Sequence, residues 1–315
     1  MDVSVVVPVF NSEGSLPQLV ERLKNLLAAV SDGYELILVN DGSRDLSWQV
    51  VQELTSRYPW VTGIDLMKNY GQHNALLCGI RKARYPVIVT IDDDLQHPPE
   101  EIPELLAKLD EGYDVVYGTP KSERHGLWRN LASLVTKFTL QNAMGAGTAQ
   151  SVSAFRAFRT SLRPSFEHYG GAFVSIDCLL TWGTSRFTAV VVRHEPRTIG
   201  VSNYTFRKLL VHSLNMMTGF STLPLQIATY VGFAFTLLGF LLLAFVLGRF
   251  LLSGASVPGF PFLACIISIF SGAQLFAIGI IGEYLARMYV RTSEQPAYVI
   301  RELKATTNAS DVAAG

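Results

Sequence analysis

Short apolar runs alternate with longer amphipathic stretches in the first part of the chain. The apolar runs are rich in β-branched residues, which favour strands. They predict five buried strands: Val3–Val9, Tyr34–Asn40, Val61–Leu66, Val87–Ile91 and Asp114–Gly118. The intervening stretches repeat apolar residues at helical spacing and predict four helices: Ser15–Val30, Asp45–Arg57, Gly71–Ala83 and Pro98–Asp110. This alternation predicts an α/β fold, with a mainly parallel sheet covered by helices on both faces.

The pattern is less regular after Gly118. Trp128–Ala143 has helical spacing, whereas Ser151–Phe158 and Thr188–His194 resemble strands. Thr205–Phe220 is amphipathic and precedes a long apolar stretch, so it predicts a helix lying in a membrane surface. A plain connecting helix is the alternative interpretation.

Two apolar stretches, Leu225–Gly248 and Phe262–Gly282, contain no Asp, Glu, Lys or Arg. Each has about the 20 residues that a membrane-spanning helix needs. The alternative is a pair of helices buried in a soluble core. Glu283 and Arg287, four residues apart at the end of the second stretch, predict an ion pair on one helix face.

The basic residues around these stretches predict their orientation. Arg207 and Lys208 precede the first stretch, and only Arg249 lies at the edge of the connecting segment. Four basic residues follow the second stretch: Arg287, Arg291, Arg301 and Lys304. Because basic residues favour the cytoplasmic side, both termini are expected there. The predicted organisation is an α/β domain (1–204), an interfacial segment (205–224), two membrane helices (225–287) and a cytoplasmic tail (288–315).

Composition narrows the class of protein further. The 315 residues include 26 Lys and Arg and 26 Asp and Glu, giving a formal net charge of zero. This balance argues against a nucleic-acid-binding protein. Cys78, Cys178 and Cys265 lack metal-site spacing and are odd in number, so they are expected to be reduced thiols.

The acidic run Asp92–Gln96, of sequence Asp-Asp-Asp-Leu-Gln, follows the fourth predicted strand. Ligands bind at the carboxyl ends of parallel strands in open α/β sheets. Asp92 and Asp94 lie on the same side of an extended segment, where they suit a hard divalent cation that bridges to a diphosphate. No G-x-G-x-x-G follows the first strand and no P-loop sequence occurs, which argues against dinucleotide oxidoreductases and P-loop enzymes.

Polar residues also follow the first two strands, in Pro8–Glu13 and Asn40–Ser43. Each motif by itself is weak, because Asp-Gly is usually a turn and a D-x-D triplet often arises by chance. Three such motifs at successive strand ends together predict a binding site for an activated phosphorylated donor.

With these motifs, the chain resembles family 2 glycosyltransferases of the GT-A fold. More narrowly, it resembles the polyprenyl-phosphate glycosyltransferases: bacterial enzymes that make undecaprenyl-phosphate glucose or use a formamido-arabinose donor, and dolichyl-phosphate mannose synthases. Further matching segments are Val5–Asn11, Asn69–Asn74, Asp114–Gly118, Gly272–Phe276 and Gly282–Leu285. The resemblance runs from Val3 to about Arg301 and does not reveal the sugar.

The resemblance implies roles for the residues that match family positions. The nucleotide-sugar would contact Pro8, Phe10, Glu13, Asp41 and Asp92. Mg²⁺ or Mn²⁺ would be held by Asp92, Asp94 and Gln96. The alternatives without ligand binding are a helix cap for Asp94, a turn residue for Asp41 and a solvated loop charge for Glu13.

Other matches concern phosphate groups. Arg156 matches a family arginine near the transferring phosphates, and an ordinary surface arginine is the alternative. The segment Gly200–Tyr204 matches a family motif, although Asn203 replaces its usual lysine. The lipid phosphate would contact Arg193, Arg197, Ser202, Arg207 and Lys208, some of which are indistinguishable by sequence from ordinary membrane-surface basic residues.

One departure concerns the catalytic base. Many relatives have an aspartate six residues before the family arginine, where this chain has Gln150. Either activity is lost or no base is needed, and we favour the second interpretation. A phosphate monoester has a second pKa of about 6 and is already a nucleophilic dianion in the cytoplasm. Asp177 is an alternative base, with a paired structural carboxylate equally compatible with the sequence.

The sequence therefore predicts an inverting enzyme of the bacterial inner membrane. It would transfer one sugar from a UDP- or GDP-linked donor to undecaprenyl phosphate at the cytoplasmic face. Relatives imply a homo-oligomer. The alternatives are a transferase for another lipid or glycan acceptor, and a non-catalytic membrane scaffold that binds a nucleotide-sugar.

Overall fold

The computed structural model describes residues 1–120, 151–171, 174–195, 223–253, 259–292 and 295–305. The chain divides into two compact units. One comprises Met1–Leu210 together with Glu294–Gly315, and the other comprises Val211–Ser293. The predicted helices Trp128–Ala143 and Thr205–Phe220 lie outside the described residues.

A mixed, mostly parallel sheet forms the first unit. Its described strands are β1 (Val3–Val9), β2 (Tyr34–Asn40), β3 (Val61–Leu66), β4 (Val87–Thr90), β5 (Val115–Pro120), β6 (Arg156–Arg159), β7 (Phe187–Val192) and β8 (Ile300–Ala305). Their spatial order is β7-β5-β6-β4-β1-β2-β3-β8. The central strands β4, β1, β2 and β3 run parallel to one another. Strand β6 is antiparallel to both of its neighbours, β4 and β5, and β8 is antiparallel to β3. The parallel centre places several strand ends at one edge of the sheet.

Helices cover both faces of this sheet. The described α-helices of the unit are α1 (Leu16–Val30), α2 (Ser47–Arg57), α3 (Gln72–Lys82), α4 (Ile102–Asp110) and α5 (Ile176–Leu180). Apolar residues of α1, α2 and α4 share one core with Val5 and Val7 of β1. Val6 points the other way because strand side chains alternate, and it packs against α3. Gly79 permits this approach, since a Cβ there would lie 2.4 Å from Val6 Cγ1.

Most predicted elements of this unit are present. The first three strands have the predicted bounds, because each is a mainly apolar run that is buried on both faces of the sheet. The strand predicted at Ser151–Phe158 begins only at Arg156, after turns and bends. The helix predicted at Pro98 begins as a 3-10 turn over Pro99–Glu101 and becomes α-helical at Ile102.

The predicted C-terminal tail, 288–315, is not a single segment. A helix continues to Thr292, and Ile300–Ala305 form β8, which pairs antiparallel with β3. The sequence pattern did not indicate this strand, since only Ile300 and Leu303 among its six residues are large and apolar. An edge strand needs little apolar surface, because its main-chain hydrogen bonds to β3 define its position.

The second unit contains two long helices, α6 (Leu223–Ser253) and α7 (Phe260–Thr292). Both extend beyond the predicted spans. Pro224–Arg249 and Ile269–Tyr289 are long and apolar enough to cross a membrane, with mean hydropathies of 2.5 and 1.5. Neither window is buried, which does not fit the alternative of two helices inside a soluble core. Arg287 contacts Glu283 at 2.7 Å, confirming the predicted ion pair.

Candidate active site

An open cleft of about 300 Å³ lies where β1, β2 and β4 end. Because these three strands are parallel neighbours, the loops that follow them converge at one edge. The lining residues are Pro8, Val9, Phe10, Asp41, Asn69, Gly71, Gln72, Asp92, Asp93 and Asp94. The structure thus brings together five residues that the sequence analysis assigned to the donor and the metal: Pro8, Phe10, Asp41, Asp92 and Asp94.

The loop after β1 carries Phe10, whose side chain is 43% exposed. This large apolar side chain is presented to the cleft because Asn11 turns the backbone with a φ of 55°. The side chain of Asn11 accepts a hydrogen bond from the Arg44 amide at 2.8 Å, and its own amide donates to Ser43 Oγ at 3.0 Å. The loop after β2 therefore supports the loop that presents Phe10.

Asp93 connects the acidic run to the same loop. Its Oδ2 accepts a hydrogen bond from the Phe10 amide at 3.1 Å and one from the Ser12 hydroxyl at 2.5 Å. Burial raises the pKa of Asp93 to about 6, while the bonds from Ser12 and Phe10 act in the opposite direction. Asp93 thus holds Phe10 in place beside Asp92 and Asp94.

Asp92 and Asp94 have separate supports within the cleft. Asp92 Oδ1 accepts a hydrogen bond from Gln72 Nε2 at 2.7 Å. Asp94 Oδ1 accepts one from the Gln96 amide at 3.1 Å, an Asx turn within the acidic run. Buried Leu95, between Asp94 and Gln96, has a φ of 61°. This left-handed conformation costs a bulky residue about 1–2 kcal/mol. Such strain is typical of functional sites, where surrounding packing maintains it.

These donors suit a hard divalent cation. Carboxylate oxygens are the ligands that Mg²⁺ and Mn²⁺ prefer, and both Asp92 and Asp94 line the cleft. No group of three or more His, Cys, Asp and Glu side chains with metal-site geometry occurs among the described residues. Gln96 does not line the cleft, although its backbone carbonyl accepts a 2.8 Å bond from the Glu195 amide.

Asp41 forms the opposite wall with the segment that follows β3. Its two carboxylate oxygens accept hydrogen bonds from the amides of Tyr70 and Gly71 at 2.7 and 2.8 Å. Asn69 Nδ2 donates to the Asp41 carbonyl at 3.0 Å. Burial raises the pKa of Asp41, and the two backbone bonds oppose that rise. Asp41 therefore holds a cleft-lining loop as well as lining the cleft itself.

Asn69, Gly71 and Gln72 were missed as site residues by the sequence analysis. They follow β3 just as the other motifs follow β1, β2 and β4, so the strand-end rule itself was the available signal. Gly42, with a φ of 66°, allows the loops to meet, because a Cβ there would lie 2.6 Å from the Asn69 amide nitrogen.

Glu13 lies outside the cleft lining. Its Oε2 accepts a hydrogen bond from the Leu46 amide at 2.8 Å, at the start of α2. Its own amide donates to Asp45 Oδ2 at 3.3 Å. The exposed carboxylate thus binds the backbone just before a helix in this structure, and contact with a nucleoside stays a prediction.

Arg156 and Asp177 are paired with each other in the interior. Arg156 is 1% exposed, and its Nη1 contacts Asp177 Oδ1. The Tyr117 hydroxyl donates to the same oxygen at 3.0 Å, and burial raises the Tyr117 pKa well above its usual value. Neither charged residue lines the cleft. For Asp177 the observed arrangement matches the paired structural carboxylate, and for Arg156 it is not that of a phosphate ligand exposed to the cleft.

The segment after β7 packs against the loop of the acidic run. Arg193 Nε contacts Glu101 Oε1 at 2.5 Å, so its charge is already paired. The His194 ring lies 5.1 Å from the His97 ring, centroid to centroid, and burial lowers the His97 pKa to about 4. Gln150, Arg197, Ser202, Arg207 and Lys208 lie outside the described residues.

Comparisons with known proteins found relatives in sequence and in fold. Residues 4–165 match the glycosyl transferase family 2 model. An undecaprenyl-phosphate 4-deoxy-4-formamido-L-arabinose transferase of Proteus mirabilis (strain HI4320) is 36% identical over 305 residues, which cover 96% of this chain and 93% of the relative. The protein of the same name from Pseudomonas aeruginosa (strain LESB58) is 36% identical over 313 residues, covering 98% and 92%.

A solved structure is similar in fold. Glucosyl-3-phosphoglycerate synthase from Mycobacterium tuberculosis, in complex with Mn²⁺, UDP-glucose and phosphoglyceric acid, has a TM-score of 0.50 at 20% identity. The match covers 69% of this chain and 77% of the synthase. At this identity the likeness concerns the fold alone, which is the predicted GT-A fold. From the strand-end cleft, the match to the family model and the near-full-length relatives, it follows that the chain belongs to glycosyltransferase family 2.

Proposed function

We propose that this glycosyltransferase moves a single sugar from a nucleotide-sugar to undecaprenyl phosphate at the cytoplasmic face of a bacterial inner membrane. The observation that carries the proposal is the cleft containing Asp92 and Asp94, in a chain that aligns over 96% of its length with an undecaprenyl-phosphate sugar transferase. Two apolar helices in the same chain suit an acceptor that resides in a membrane.

Asp92 and Asp94 are proposed to hold Mg²⁺ or Mn²⁺, with Gln96 as the third predicted ligand. When bound, the cation would neutralise charge that develops on the departing diphosphate. The chain orients the two carboxylates in advance: Gln72 orients Asp92, and the strained turn at Leu95 orients Asp94. Pre-organised ligands reduce the reorganisation needed when the donor binds.

Phe10 is proposed to stack on the nucleobase. It is exposed, it lines the cleft, and Asp93 holds its backbone, so stacking needs little rearrangement. Pro8, Asp41 and the Asn69–Gln72 segment would form the remaining wall of the nucleoside pocket. These residues suit either UDP or GDP, so an assay with both kinds of donor is needed to distinguish the two nucleotides.

The proposed reaction is a single inverting displacement. An oxygen of the acceptor phosphate attacks the anomeric carbon, and a new carbon–oxygen bond forms. The bond from that carbon to the diphosphate oxygen breaks, and the nucleoside diphosphate leaves with the electron pair. The dianionic acceptor needs no proton removed, so Gln150 is compatible with catalysis.

The positive charge for the lipid phosphate is proposed to come mainly from Arg197, Arg207 and Lys208, with Ser202 as a hydroxyl donor. Arg193 was included in the same prediction, but it is paired with Glu101 in this structure. Arg193 would act on the phosphate only by exchanging that partner.

The connectivity supports a two-span topology. The chain leaves the unit that contains the sheet before the apolar helices and returns to it afterwards as β8. A chain that returns to the same folded domain crosses a membrane an even number of times. Together with the basic residues outside the spans, this supports a multi-pass protein with both termini in the cytoplasm.

A donor panel tests the proposal. The purified full-length protein is incubated with labelled UDP- and GDP-sugars, undecaprenyl phosphate and either Mg²⁺ or Mn²⁺. We expect one labelled lipid product from one nucleotide-sugar. Labelled product only with another lipid or a glycan would identify a different acceptor. Binding of nucleotide-sugar without any product would support the scaffold alternative and contradict the proposal.

A further inference from the structure

The strand that follows the second apolar helix has an irregular pairing at one residue. Asp65 of β3 pairs with Glu302 of β8, and the next residue, Leu66, pairs with Ile300. Arg301 therefore has no partner in the register and forms a β-bulge. Bulges bend an edge strand and re-aim the side chain they contain, and they are frequent beside active sites.

The Arg301 side chain at the bulge contacts both β3 and the segment that follows β3. Its Nη1 lies 3.2 Å from Asp65 Oδ2, and its Nη2 donates to the Met67 carbonyl at 2.8 Å. The Met67 amide in turn donates to the Val299 carbonyl at 2.9 Å. The residues on either side of the bulge thus hold the chain where it leaves β3.

Both contacts lead towards the donor cleft. The other oxygen of buried Asp65 accepts a hydrogen bond from Asn40 Nδ2 at 2.7 Å, and Asn40 directly precedes Asp41. Met67 begins the segment that reaches Asn69, the first residue of the cleft-lining loop that Asp41 binds. The Arg301 guanidinium therefore contacts Asp65, which binds the residue before Asp41, and Met67, which begins the segment leading to the cleft-lining loop.

We propose that Arg301 is a positioning residue for donor binding. It fixes Asp41 and the Asn69–Gln72 loop relative to each other, from a strand that follows the membrane helices in sequence. This inference rests on the proposed use of the cleft for a nucleotide-sugar. Without Arg301, buried Asp65 keeps only the Asn40 side-chain amide as a hydrogen-bond donor among the described residues, and an under-compensated buried carboxylate forces its surroundings to shift.

The effect is expected on binding more than on the chemical step, since Arg301 does not line the cleft. Arg301→Gln in the full-length protein should raise the donor KM about tenfold while kcat changes less than about threefold. Arg301→Lys, which can reach one acceptor but not both, should recover part of that loss. Lys304→Gln is the matched control on the same strand, because Lys304 pairs only with Glu302 in the described contacts.

Calorimetric titration with UDP and with GDP, together with thermal melting, accompanies the kinetics. A tenfold weaker nucleotide affinity of the folded protein, measured below its melting transition, would support positioning even where the melting temperature is lower. Equal KM and affinity in the Gln variant and the Lys304 control would overturn it, as would a lower melting temperature with wild-type affinity in the folded fraction. Wild-type protein that binds UDP or GDP but transfers no sugar would refute the proposed function while the titrations still decide the role of Arg301. Absence of nucleotide binding by the wild type would overturn both.

Discussion

The cleft and the interior cluster around Arg156 both contain aspartates, but the surroundings of these aspartates differ. In the cleft, Asp92 and Asp94 are partly exposed, and their hydrogen-bond donors include the side chain of Gln72 and the backbone amide of Gln96. In the cluster, Asp177 faces the Arg156 guanidinium and the Tyr117 hydroxyl, away from solvent. Carboxylates that line an open cleft are accessible to a cation, whereas Asp177 is buried and its charge is balanced by Arg156. Accessibility from the cleft thus separates the proposed binding site from a structural ion pair.

The largest expected effect is on the cleft. Asp94→Ala should lower turnover about a thousandfold or more, because the substitution removes one of two carboxylates proposed to hold the cation. The melting temperature should stay close to that of the wild type. Addition of a chelator to the wild type should produce a similar loss that Mg²⁺ or Mn²⁺ reverses.

The control for that variant is Asp45→Ala, which removes a partly exposed carboxylate that accepts a hydrogen bond from the Ser47 amide at the start of α2, outside the cleft. We expect it to retain turnover. Unchanged turnover in Asp94→Ala itself would remove the metal assignment and erase the contrast between the two regions.

The interior cluster should respond in stability. Arg156→Met leaves Asp177 buried without its cation, which costs about 3–5 kcal/mol of unfolding free energy. Chemical denaturation measures this loss. The double variant Arg156→Met with Asp177→Leu should recover much of it, since no uncompensated charge remains.

A different result for Arg156 would reverse the comparison. If Arg156→Met keeps wild-type stability but loses most of its turnover, Arg156 acts on the reacting phosphates, as the family resemblance implies. The described arrangement would then be a resting one.

A smaller effect is expected where two loops of the cleft meet. Gly42→Ala places a Cβ 2.6 Å from the Asn69 amide nitrogen, so the cleft-lining loop must move and the donor KM should rise about fivefold to tenfold. Gly112→Ala is a matched control outside the cleft: its φ is also positive, at 100°, and a Cβ there meets only the end of the Arg186 side chain, at 2.9 Å. It should lower stability by about 1 kcal/mol with little change in KM. Equal KM values in the two variants would contradict a role for the close approach.

The smallest expected effect concerns Gln150. Gln150→Ala should change turnover less than about threefold, because a phosphate acceptor needs no general base. The pH–rate profile should follow the second ionisation of the acceptor, with a pKa of about 6. A thousandfold loss in this variant would show that residue 150 takes part in the chemistry.

Much of the fold was predictable because its signals are local. The β-branched runs of β1, β2 and β3 determine strands whose bounds the structure reproduces, since parallel pairing buries both faces of each run. The cleft members Asp41, Asp92 and Asp94 were predictable for a related reason. A residue that follows a parallel strand must lie at the ligand-binding edge whatever the details of packing.

Other features depended on contacts between distant residues. Nothing local distinguishes Arg156 from an exposed arginine, and only its register beside Thr90 and its contact with Asp177 show that it is interior. Glu13 was assigned to the donor from its position in a motif, and only the structure shows that its carboxylate accepts a hydrogen bond from the Leu46 amide. Such partners lie 21 and 33 residues away in sequence, beyond the reach of periodicity.

By itself, the sequence determined the strand-and-helix order, the acidic run at a strand end and the two apolar helices, because each follows from side-chain polarity along a continuous segment. Only the tertiary structure decided that Arg156 and Asp177 neutralise each other, that Asp93 holds Phe10, and that β8 returns to the sheet with Arg301 at a bulge. The physical reason is that burial and charge pairing depend on neighbours in space. Those neighbours exist only once the sheet has assembled.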